Sequence, residues 1–418
     1  MILAEFNNDP INAYLKCERY VNDGSPSKNN NTTSLNTAPK SGKPWFHALE
    51  VKFNKNVKII RYGEEDSFIH RESLVMHPDF IDSAFIRDSE LEIVGHVKVA
   101  PTSSGRTVLC VEYSDLCFLK LAYPKCLGRL TRHMGSEKIL SAVEVTERLV
   151  NAVDNNLMNS KFALLKENKG KVAVFNLQGS VYEWGMIKRD FKPYPYMNDG
   201  VEYYMPFFSL FSKEYTIGSL QENEEHVPFL IQFCEAQSKS PIDFLLFDVV
   251  YPLLDCYFDS LLKAGIELEA HAQNMLISFD DQFMIHRIVC RDLESAGRDV
   301  TLMERLGISF DLDNEYKCNR LLAKNETDKY PKWYITHSFM FDFKLGEYIL
   351  TPLIDCFLSY YPDYSIDSIQ DTIREYNQKY IQLLPDFFPP DWCYYSAENF
   401  EETKNRKEYI WEPNPKYR

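Results

Sequence analysis

Six polar side chains that could handle a nucleotide and a metal ion lie close together in the chain. They are Glu269, His271, Gln273, Asn274, Arg291 and Asp292. Carboxylate and amide oxygens suit Mg²⁺ between nucleotide phosphates, and an imidazole can donate a hydrogen bond to a phosphate or carboxylate oxygen. A guanidinium can hold a carboxylate or order a loop. The alternative is a helix end with an asparagine cap, followed by an exposed, salt-bridged hairpin.

The elements around these residues should hold them in one place. An apolar helix pattern over 241–264 precedes the polar loop, and the apolar runs MLISF and IHRIVC follow it, joined by a turn at 280–282. Antiparallel pairing of the two runs would bring the loop and the Arg291–Asp292 pair to the same end of the hairpin. The pattern therefore predicts a helix, a polar loop, a hairpin and a charged pair on rigid strands.

A basic stretch forms the second candidate element. Its residues are Lys120 on a strand pattern, then Lys125, Arg129 and Arg132 in a turn, and a helix start at Gly135–Ser136. Basic side chains beside a helix N-terminus suit an anion such as a triphosphate, although a solvated basic turn is the commoner meaning of such a run. His133 could contact a substrate, although a histidine in such a place is more often a polar residue at the surface. The sequence contains neither a G-x-x-x-x-G-K-[ST] nor a G-x-G-x-x-G motif.

Two further features carry weaker signals. Arg189 ends a strand pattern and could clamp a carboxylate or phosphate with two parallel hydrogen bonds. Lys404 and Lys407 lie in a charged tail before Asn414–Pro415, for which a frayed terminus is the alternative reading.

Composition and charge narrow the function class. A net charge of −15 argues against a nucleic-acid groove. The ten cysteines include no C-x-x-C pair, and several lie in apolar stretches, so we expect a reducing, cytoplasmic compartment rather than zinc or disulfides. No apolar run reaches ~18 residues and no signal peptide is visible, which predicts no membrane association.

The chain of 418 residues is long enough for two or three domains. The pattern predicts a short helix within 1–20, a polar linker over 21–43, mainly strands over 45–120, a helix over 137–158 and a helix-rich part over 334–382. Glu144 and Arg148 are spaced for an ion pair on the helix. The expected class is α+β, a mixed sheet domain followed by a second α+β part.

As a whole, the pattern resembles the NRPS-independent siderophore synthetases, the aerobactin-synthetase-like family. The G-I-x-x-E-x-H-x-Q-N loop, hydrophobic hairpin and R-D pair of that family match the stretch from Gly265 to Asp292. Its K-[LI]-x-[LY]-P strand and following turn look like 120–132, and its G-x-I-x-R strand end looks like 185–189. Its terminal Lys and N-P dipeptide are similar to Lys404 or Lys407 with Asn414–Pro415. The resemblance covers roughly residues 105–418 in collinear order.

This resemblance implies a thumb, fingers and palm arrangement, with a mixed or antiparallel sheet domain, a helix-rich palm and a reduced N-terminal thumb. The implied divisions are an N-terminal segment with linker (1–43), a thumb-like part (44–115), a fingers-like nucleotide-binding part (116–235) and a palm-like part (236–418). It also implies an ATP- and Mg²⁺-dependent ligase that joins a polycarboxylic acid, as its acyl-adenylate, to an amine or hydroxyl in siderophore biosynthesis. A homodimer is left open.

Residue roles follow from the resemblance. The implied catalytic residues are His271, Arg132 and Arg189. Nucleotide binding falls to Lys120, Arg129, Thr131, Gln273 and Arg291. Either Thr131 or Ser136 could supply the hydroxyl that the family places at the position of Gly128–Arg129. Metal binding falls to Glu269, Asn274 and Asp292. Substrate contacts are expected from His133, Lys404 and Lys407.

Two other function classes stay open. A non-catalytic relative could bind a carboxylate metabolite or a protein partner. A kinase-like phosphotransferase could also use an Asn and an Asp around metal-bound ATP, although H-R-D, D-F-G and a glycine-rich loop are missing from the sequence.

Overall fold

The structure is a computed structural model. It describes residues 9–22, 36–40, 43–53, 57–63, 72–81, 91–111, 116–124, 126–127, 130–131, 133–177, 179–197, 202–216, 223–225, 227–308, 317–318, 332–394 and 411–418.

The strands of the first two thirds of the chain are β1 Phe46–Phe53, β2 Lys58–Gly63, β3 Ser73–Met76, β4 Leu91–Pro101, β5 Thr107–Cys110, β6 Cys117–Leu121, β7 Cys126–Leu127, β8 Leu130–Thr131, β9 Phe162–Leu164, β10 Lys169–Leu177, β11 Ser180–Asp190, β12 Tyr203–Pro206, β13 Glu214–Thr216, β14 Asn223–Glu225 and β15 Ile266–Glu267. The later strands are β16 Met275–Phe279, β17 Ile285–Cys290, β18 Gly297–Asp299, β19 Lys317–Cys318, β20 Trp392–Tyr394 and β21 Trp411–Pro413.

The α-helices are α1 Pro10–Tyr20, α2 Ser136–Asp154, α3 Phe207–Phe211, α4 Phe229–Ala236, α5 Pro241–Asp243, α6 Tyr251–Ala264, α7 Val300–Arg305, α8 Lys332–Ser338, α9 Thr351–Tyr360 and α10 Ile366–Ile381. Two π-helices, π1 Phe244–Val250 and π2 Phe339–Leu350, run directly into α6 and α9. Short 3₁₀ turns lie at Pro78–Phe80 and Leu293–Ser295.

Two sheets frame the candidate site. The larger has eight antiparallel strands in the order β2-β10-β11-β6-β5-β4-β1-β3. The smaller has the order β12-β16-β17-β9, with β9 parallel to β17 and the other pairs antiparallel. The α+β class and the large antiparallel sheet are confirmed. The boundary predicted between residues 115 and 116 falls between two neighbouring strands of the larger sheet.

Three buried clusters form the core. One fills the larger sheet and includes Val99, Leu119 and Trp184. A second joins the smaller sheet to the C-terminal helices. The third connects the other two and includes Tyr14 of α1 and Phe118 of β6, whose ring centroids lie 5.4 Å apart. The candidate site therefore lies where the two sheets meet.

Helix α2 shows why the sequence pattern was informative. Its buried residues Ile139, Ala142, Val145, Leu149 and Ala152 recur every three or four positions, which gives one apolar face. On the same helix, Arg148 Nη2 lies 3.2 Å from Glu144 Oε1. The predicted helix and its ion pair are confirmed, as are the helix α1, the strands over 45–120, the Met275–Cys290 hairpin and the helix-rich C-terminal part.

Both π-helices precede a proline. Pro252 and Pro352 are the second residues of α6 and α9. Proline has no N–H and its ring presses on the carbonyl one turn earlier, so a wider turn before it relieves the clash. The predicted interruption at Pro252 is thus a change from π to α geometry, and the helix continues beyond the proline. Among the helices of the described residues, none combines the length and the hydrophobicity that a membrane-spanning segment requires.

Gly185 of β11 is required by close packing. A Cβ at this position would lie 2.5 Å from the carbonyl oxygen of Met134 and 2.6 Å from that of Lys171. Backbone atoms cannot turn away as a side chain can, so a larger residue must displace a strand or the segment before α2.

We therefore expect Gly185→Ala to lower the free energy of unfolding by roughly 1–3 kcal/mol through overpacking. Gly95→Ala in β4 is the matched control, because its nearest neighbour is the movable carboxylate of Glu50 at 3.0 Å. Urea denaturation measures both variants. Equal losses would contradict the packing argument.

Candidate functional site

The polar loop begins where α6 ends, at Gly265. This residue has a φ of +70°, and its N–H donates to the carbonyl oxygen of Leu261 at 3.1 Å. Glycine adopts this left-handed backbone without steric cost, and a Cβ here would lie 2.6 Å from the side chain of Met303. Gly265 therefore turns the chain from the helix into β15 and the loop that follows.

The hairpin brings the loop and the charged pair together. Met275 of β16 lies opposite Cys290 of β17. Immediately beyond them, the Arg291 N–H donates to the Asn274 carbonyl at 3.0 Å, and Arg291 Nε donates to the Gln273 carbonyl at 2.8 Å. The predicted arrangement at one end of two strands is confirmed.

The Arg291 guanidinium is buried and already paired. It donates to the Glu18 carboxylate and to the Tyr14 hydroxyl, both on α1. Glu18 also accepts from the Ser103 N–H at 3.0 Å. Burial alone would raise the pKa of Glu18, but the Arg291 charge outweighs it and the pKa is lowered. Arg291 thus fixes the loop and ties α1 to the site.

Glu269 forms an ion pair that the sequence analysis did not include. Its Oε1 lies 2.8 Å from Nζ of Lys344 on π2. Burial alone would raise the pKa of Glu269, but Lys344 and then His271 outweigh it and the pKa is lowered. The carboxylate is therefore ionised at neutral pH, and Lys344 belongs to the site.

His271 is a neutral hydrogen-bonding group. Burial, with the nearby Lys344 and Arg291 charges, lowers its pKa to about 4, although Glu269 acts in the opposite direction. Its Nδ1 accepts from the Gln273 N–H at 3.2 Å, so the neutral ring carries its proton on Nε2. His271 can thus offer one N–H to an oxygen of a ligand.

Asn274 has an unsatisfied acceptor. The residue is buried, and its Nδ2 donates to the Glu269 carbonyl at 3.2 Å. Its Oδ1 has no hydrogen-bond partner within the described part of the chain. A buried polar atom of this kind costs free energy unless a ligand or water satisfies it, which is consistent with a ligand-facing role.

Next to the hairpin lies a cluster of opposite charges, which we call the charge cluster. It consists of Arg106, Lys120 and Arg189 with Glu167, Asp292 and Glu294. The cations come from β6, β11 and the turn before β5, which are adjacent in the larger sheet, since Lys120 lies opposite both Thr107 and Ile187. The carboxylates come from the segments that flank β9 and β17.

Asp292 is the centre of the charge cluster. Lys120 Nζ lies 3.2 Å from its Oδ2, and an Arg189 N–H donates to its Oδ1. Lys120 also contacts Glu294, which lies 3.5 Å from Arg106. The structure thus brings together Lys120, Arg189 and Asp292, three of the site residues predicted from the sequence.

Glu167 is buried and accepts three hydrogen bonds from its neighbours. Its carboxylate accepts from Arg189 Nε at 2.6 Å and from the backbone N–H groups of Asp292 and Leu293 at 3.2 and 2.9 Å. Asp292 itself has a φ of +63°. Left-handed backbone is uncommon for a residue with a Cβ and costs of order 1 kcal/mol or more, so the surrounding hydrogen bonds hold Asp292 in place.

The cluster perturbs its own titration. Burial lowers the pKa of Lys120 to about 8, although Glu294 partly offsets it. For Glu294, burial would raise the pKa, but Lys120 and Arg106 outweigh it and the pKa falls to about 2. Such strongly perturbed groups are typical of functional sites, although structural ion pairs perturb pKa values too.

One set of carboxylates in the cluster could hold a metal ion. Oxygen atoms of Glu167, Asp292 and Glu294 lie within 4.8 Å of one another. Glu294 Oε2 is buried and has no hydrogen-bond partner among the described residues. Of the metal ligands predicted from the sequence, Asp292 belongs to this set, whereas the Glu269 carboxylate is held by Lys344 instead.

The structure describes only part of the basic turn, and Arg129 and Arg132 lie outside the described residues. The same is true of Lys404 and Lys407 near the C-terminus. Thr131 lies in β8 opposite Cys126. His133 is exposed, with its ring centroid 4.9 Å from that of Trp184, and partial burial together with Lys138 lowers its pKa.

A protein carboxylate occupies the N-terminus of α2, where the sequence suggested an external anion. The N–H and hydroxyl of Ser136 donate to Glu183 at 2.7 and 2.8 Å. The positive end of the helix and its free N–H groups attract any nearby anion. A neighbouring strand supplies that anion here.

The sequence analysis missed four polar residues of the site, namely Arg106, Glu167, Glu294 and Lys344. Lys344 did carry a signal, because it is a lone cation in the apolar run FMFDFKLG, and a lysine is rarely buried without a partner. Glu294 follows Asp292 by two residues and could have been included by proximity. Arg106 and Glu167 stand in ordinary polar turns, and only the tertiary structure reveals them.

The comparisons with known proteins agree with this fold. The family model described as FhuF, ferric iron reductase FhuF-like transporter, matches residues 245–327, which include the polar loop and hairpin. No curated protein matches the sequence.

Several solved structures share the fold. The petrobactin biosynthesis protein AsbB from Bacillus anthracis str. Sterne aligns with a TM-score of 0.66 and 15% identity over 89% of this chain and 68% of that protein. Aerobactin synthetase IucA from Klebsiella pneumoniae gives 0.63 and 11%, and IucC gives 0.61 and 13%, each over 89% of this chain and 70% of theirs. The chain thus has the fold of siderophore synthetases. The resemblance to the NRPS-independent family is confirmed by this fold.

The charge cluster makes stability depend on pH. The depressed pKa of Glu294 contributes stability above its unfolded value of 4.5, and this contribution is lost as the pH falls toward 2. A shift of this size corresponds to on the order of 3 kcal/mol. We expect Glu294→Gln to lose less unfolding free energy than the wild type between pH 6 and pH 3, as measured by urea denaturation.

Glu72→Gln provides the control, because Glu72 forms an exposed pair with Lys52 and such pairs contribute little. Its pH dependence should match that of the wild type. Identical slopes for all three proteins would show that Glu294 is not held ionised by the cluster.

Proposed function

We propose that this protein is an ATP- and Mg²⁺-dependent ligase that joins a polycarboxylic acid to an amine or hydroxyl in siderophore-type biosynthesis. The observation that carries the proposal is the meeting of Lys120 and Arg189 with Asp292, beside a loop that offers His271 and the unsatisfied oxygen of Asn274. Support also comes from the shared fold of the synthetases, one of which, IucA, has an ATP-bound structure with a TM-score of 0.61 and 12% identity.

The proposed reaction has two steps. A carboxylate oxygen of the acid attacks the α-phosphorus of ATP, which forms the acyl-adenylate and releases pyrophosphate. The amine nitrogen or hydroxyl oxygen then attacks the acyl carbon, loses its proton, and releases AMP. Neither step needs a protein nucleophile, so the protein contributes positioning and charge neutralisation.

The residues divide by charge and reach. His271 would donate from Nε2 to a phosphate or carboxylate oxygen, since its low pKa keeps the ring neutral. Lys120 and Arg189, with Arg129 and Arg132 from the basic turn, would anchor phosphate or carboxylate. Thr131 and Gln273 would contact the nucleotide, while Arg291 would hold the loop. His133, Lys404 and Lys407 remain proposed substrate contacts.

The donor set fits a hard divalent cation. Asp292 would hold Mg²⁺ with Glu167 or Glu294, whose oxygens lie within 4.8 Å of it, and with the Asn274 amide oxygen nearby in the loop. Glu269 lies outside this set, because its carboxylate is paired with Lys344. When bound, Mg²⁺ would neutralise phosphate charge and orient the triphosphate.

The proposed arrangement assigns residues 236–418 to the palm, residues 116–235 to the fingers and residues 44–115 to a reduced thumb. A cytoplasmic location and a homodimer are part of the same proposal. The substrates are small carboxylates and amines or alcohols, with no nucleic acid.

The product of ATP cleavage tests the reaction class. With a panel of polycarboxylic acids and amines, the protein should form AMP and pyrophosphate, as measured by chromatography and a pyrophosphate assay. Formation of ADP would indicate a phosphotransferase instead. Binding of a carboxylate without cleavage of ATP would indicate a non-catalytic relative.

His271→Ala should lower the rate of AMP formation by about 10²–10³, because one charge-stabilising contact in the transition state is lost. His286→Ala is the matched control, since His286 lies on the same hairpin but pairs with Asp280 at the far turn, 3.0 Å away. Thermal unfolding should show both variants folded. Full activity in His271→Ala would refute the assignment of this residue.

A further inference from the structure

We propose that Arg418, through its buried pair with Asp342, is a positioning residue that holds Lys344 against Glu269 in the candidate site. The spatial part of this inference concerns the chain alone, and the catalytic part rests on the proposed function. Neither Arg418 nor Asp342 belongs to the motifs that the sequence analysis identified.

Lys344 reaches the candidate site from π2. Its ammonium lies 2.8 Å from Glu269 Oε1 and 5.0 Å from the ring centroid of Phe339. Lys344 sits on π2, two residues after Asp342. Residues two positions apart on a helix do not share a face, so Lys344 faces the site while Asp342 faces elsewhere.

Asp342 is buried and is paired with Arg418. Arg418 grips its carboxylate with two parallel bonds, Nε to Oδ1 at 2.8 Å and Nη2 to Oδ2 at 2.9 Å. The other N–H groups of Arg418 donate to the carbonyls of Pro389 at 2.5 Å and Trp392 at 2.6 Å. Such a paired fork fixes direction as well as distance.

The segment that carries Arg418 is anchored to the helices and to a neighbouring strand. Strand β21 pairs with β20. The Tyr417 hydroxyl lies 2.8 Å from Thr351 Oγ1, and the Tyr417 carbonyl accepts from Asn377 Nδ2 at 2.7 Å. Residues 411–418 therefore form a fixed brace along π2 and the start of α9.

Lys344 and Asp342 both lie on π2, which is a π-helix. Helices of this kind are rare and are frequently found at functional sites. Loss of Arg418 would leave the Asp342 charge buried without its cation, which a folded protein tolerates poorly. Movement of π2 toward water would relieve that charge and would carry Lys344 away from Glu269.

The test compares Arg418→Gln with Lys416→Ala. Lys416 is the matched control, because it lies in the same segment but forms a partly exposed pair with Glu347, which should contribute little. The first readout is the rate at which the Lys344 amine is acylated by a water-soluble reagent, measured by mass spectrometry of the peptide that carries it. The second is hydrogen exchange of residues 339–350.

The Lys344 ammonium is held against Glu269 at 2.8 Å, so movement of π2 should expose the amine to water and to the reagent. We expect severalfold faster acylation of Lys344 in Arg418→Gln, faster exchange in π2, and no change in Lys416→Ala. Lys344→Met removes the labelled amine and thereby identifies its peptide. Where Arg418→Gln does not fold, Arg418→Lys replaces it and should give a smaller increase, because one amine cannot reproduce the fork.

Kinetics separate this inference from the proposed function. In an active enzyme, Arg418→Gln should lower kcat by on the order of tenfold to a hundredfold, since misplacement of a site group by about 1 Å has such an effect. An unchanged acylation rate of Lys344 overturns the inference. Faster acylation with unchanged kcat overturns its catalytic part. A wild type that forms no AMP, with the difference in acylation intact, refutes the proposed function and leaves the spatial inference standing.

Discussion

The compensation of buried charge is the constraint on which this structure depends. Lys120, Arg189 and Glu167 are almost inaccessible to water, and an isolated ion in such a place would cost several kcal/mol. Each charge has an opposite partner, and backbone N–H groups supply the remaining hydrogen bonds of Glu167. The two sheets can therefore meet only in the register that pairs these groups.

The same constraint gives the site its chemical character. Because the cations and carboxylates compensate one another, the cluster is rigid and nearly neutral. The neighbouring His271 is affected by the electric field of the cluster but is itself uncharged. A phosphate and a metal ion together carry both signs of charge and could exchange partners with such a cluster. A dianion alone would leave the carboxylates unbalanced.

Sequence reasoning recovered the features that local chemistry determines. The hairpin at 275–290 was predictable because two apolar runs flank a polar turn, and Gly265 marked the end of a helix. The partners of Arg291 were not predictable, since Glu18 is 273 residues away in the sequence and nothing in its neighbourhood PINAYLKCERY distinguishes a buried carboxylate from an exposed one. The contact of Glu183 with the start of α2 was not predicted for the same reason, because the spacing of residues along the chain does not show which strands lie next to each other.

The ion pair between Glu18 and Arg291 also affects the order of folding events during synthesis of the chain. A ribosome adds about 5–20 residues per second, so roughly 14–55 s separate the synthesis of the two partners. During that interval Arg291 cannot yet pair with the Glu18 carboxylate, which stays hydrated because burial of an unpaired charge is costly. Closure of the molecule around α1 therefore waits until Arg291 has been synthesised.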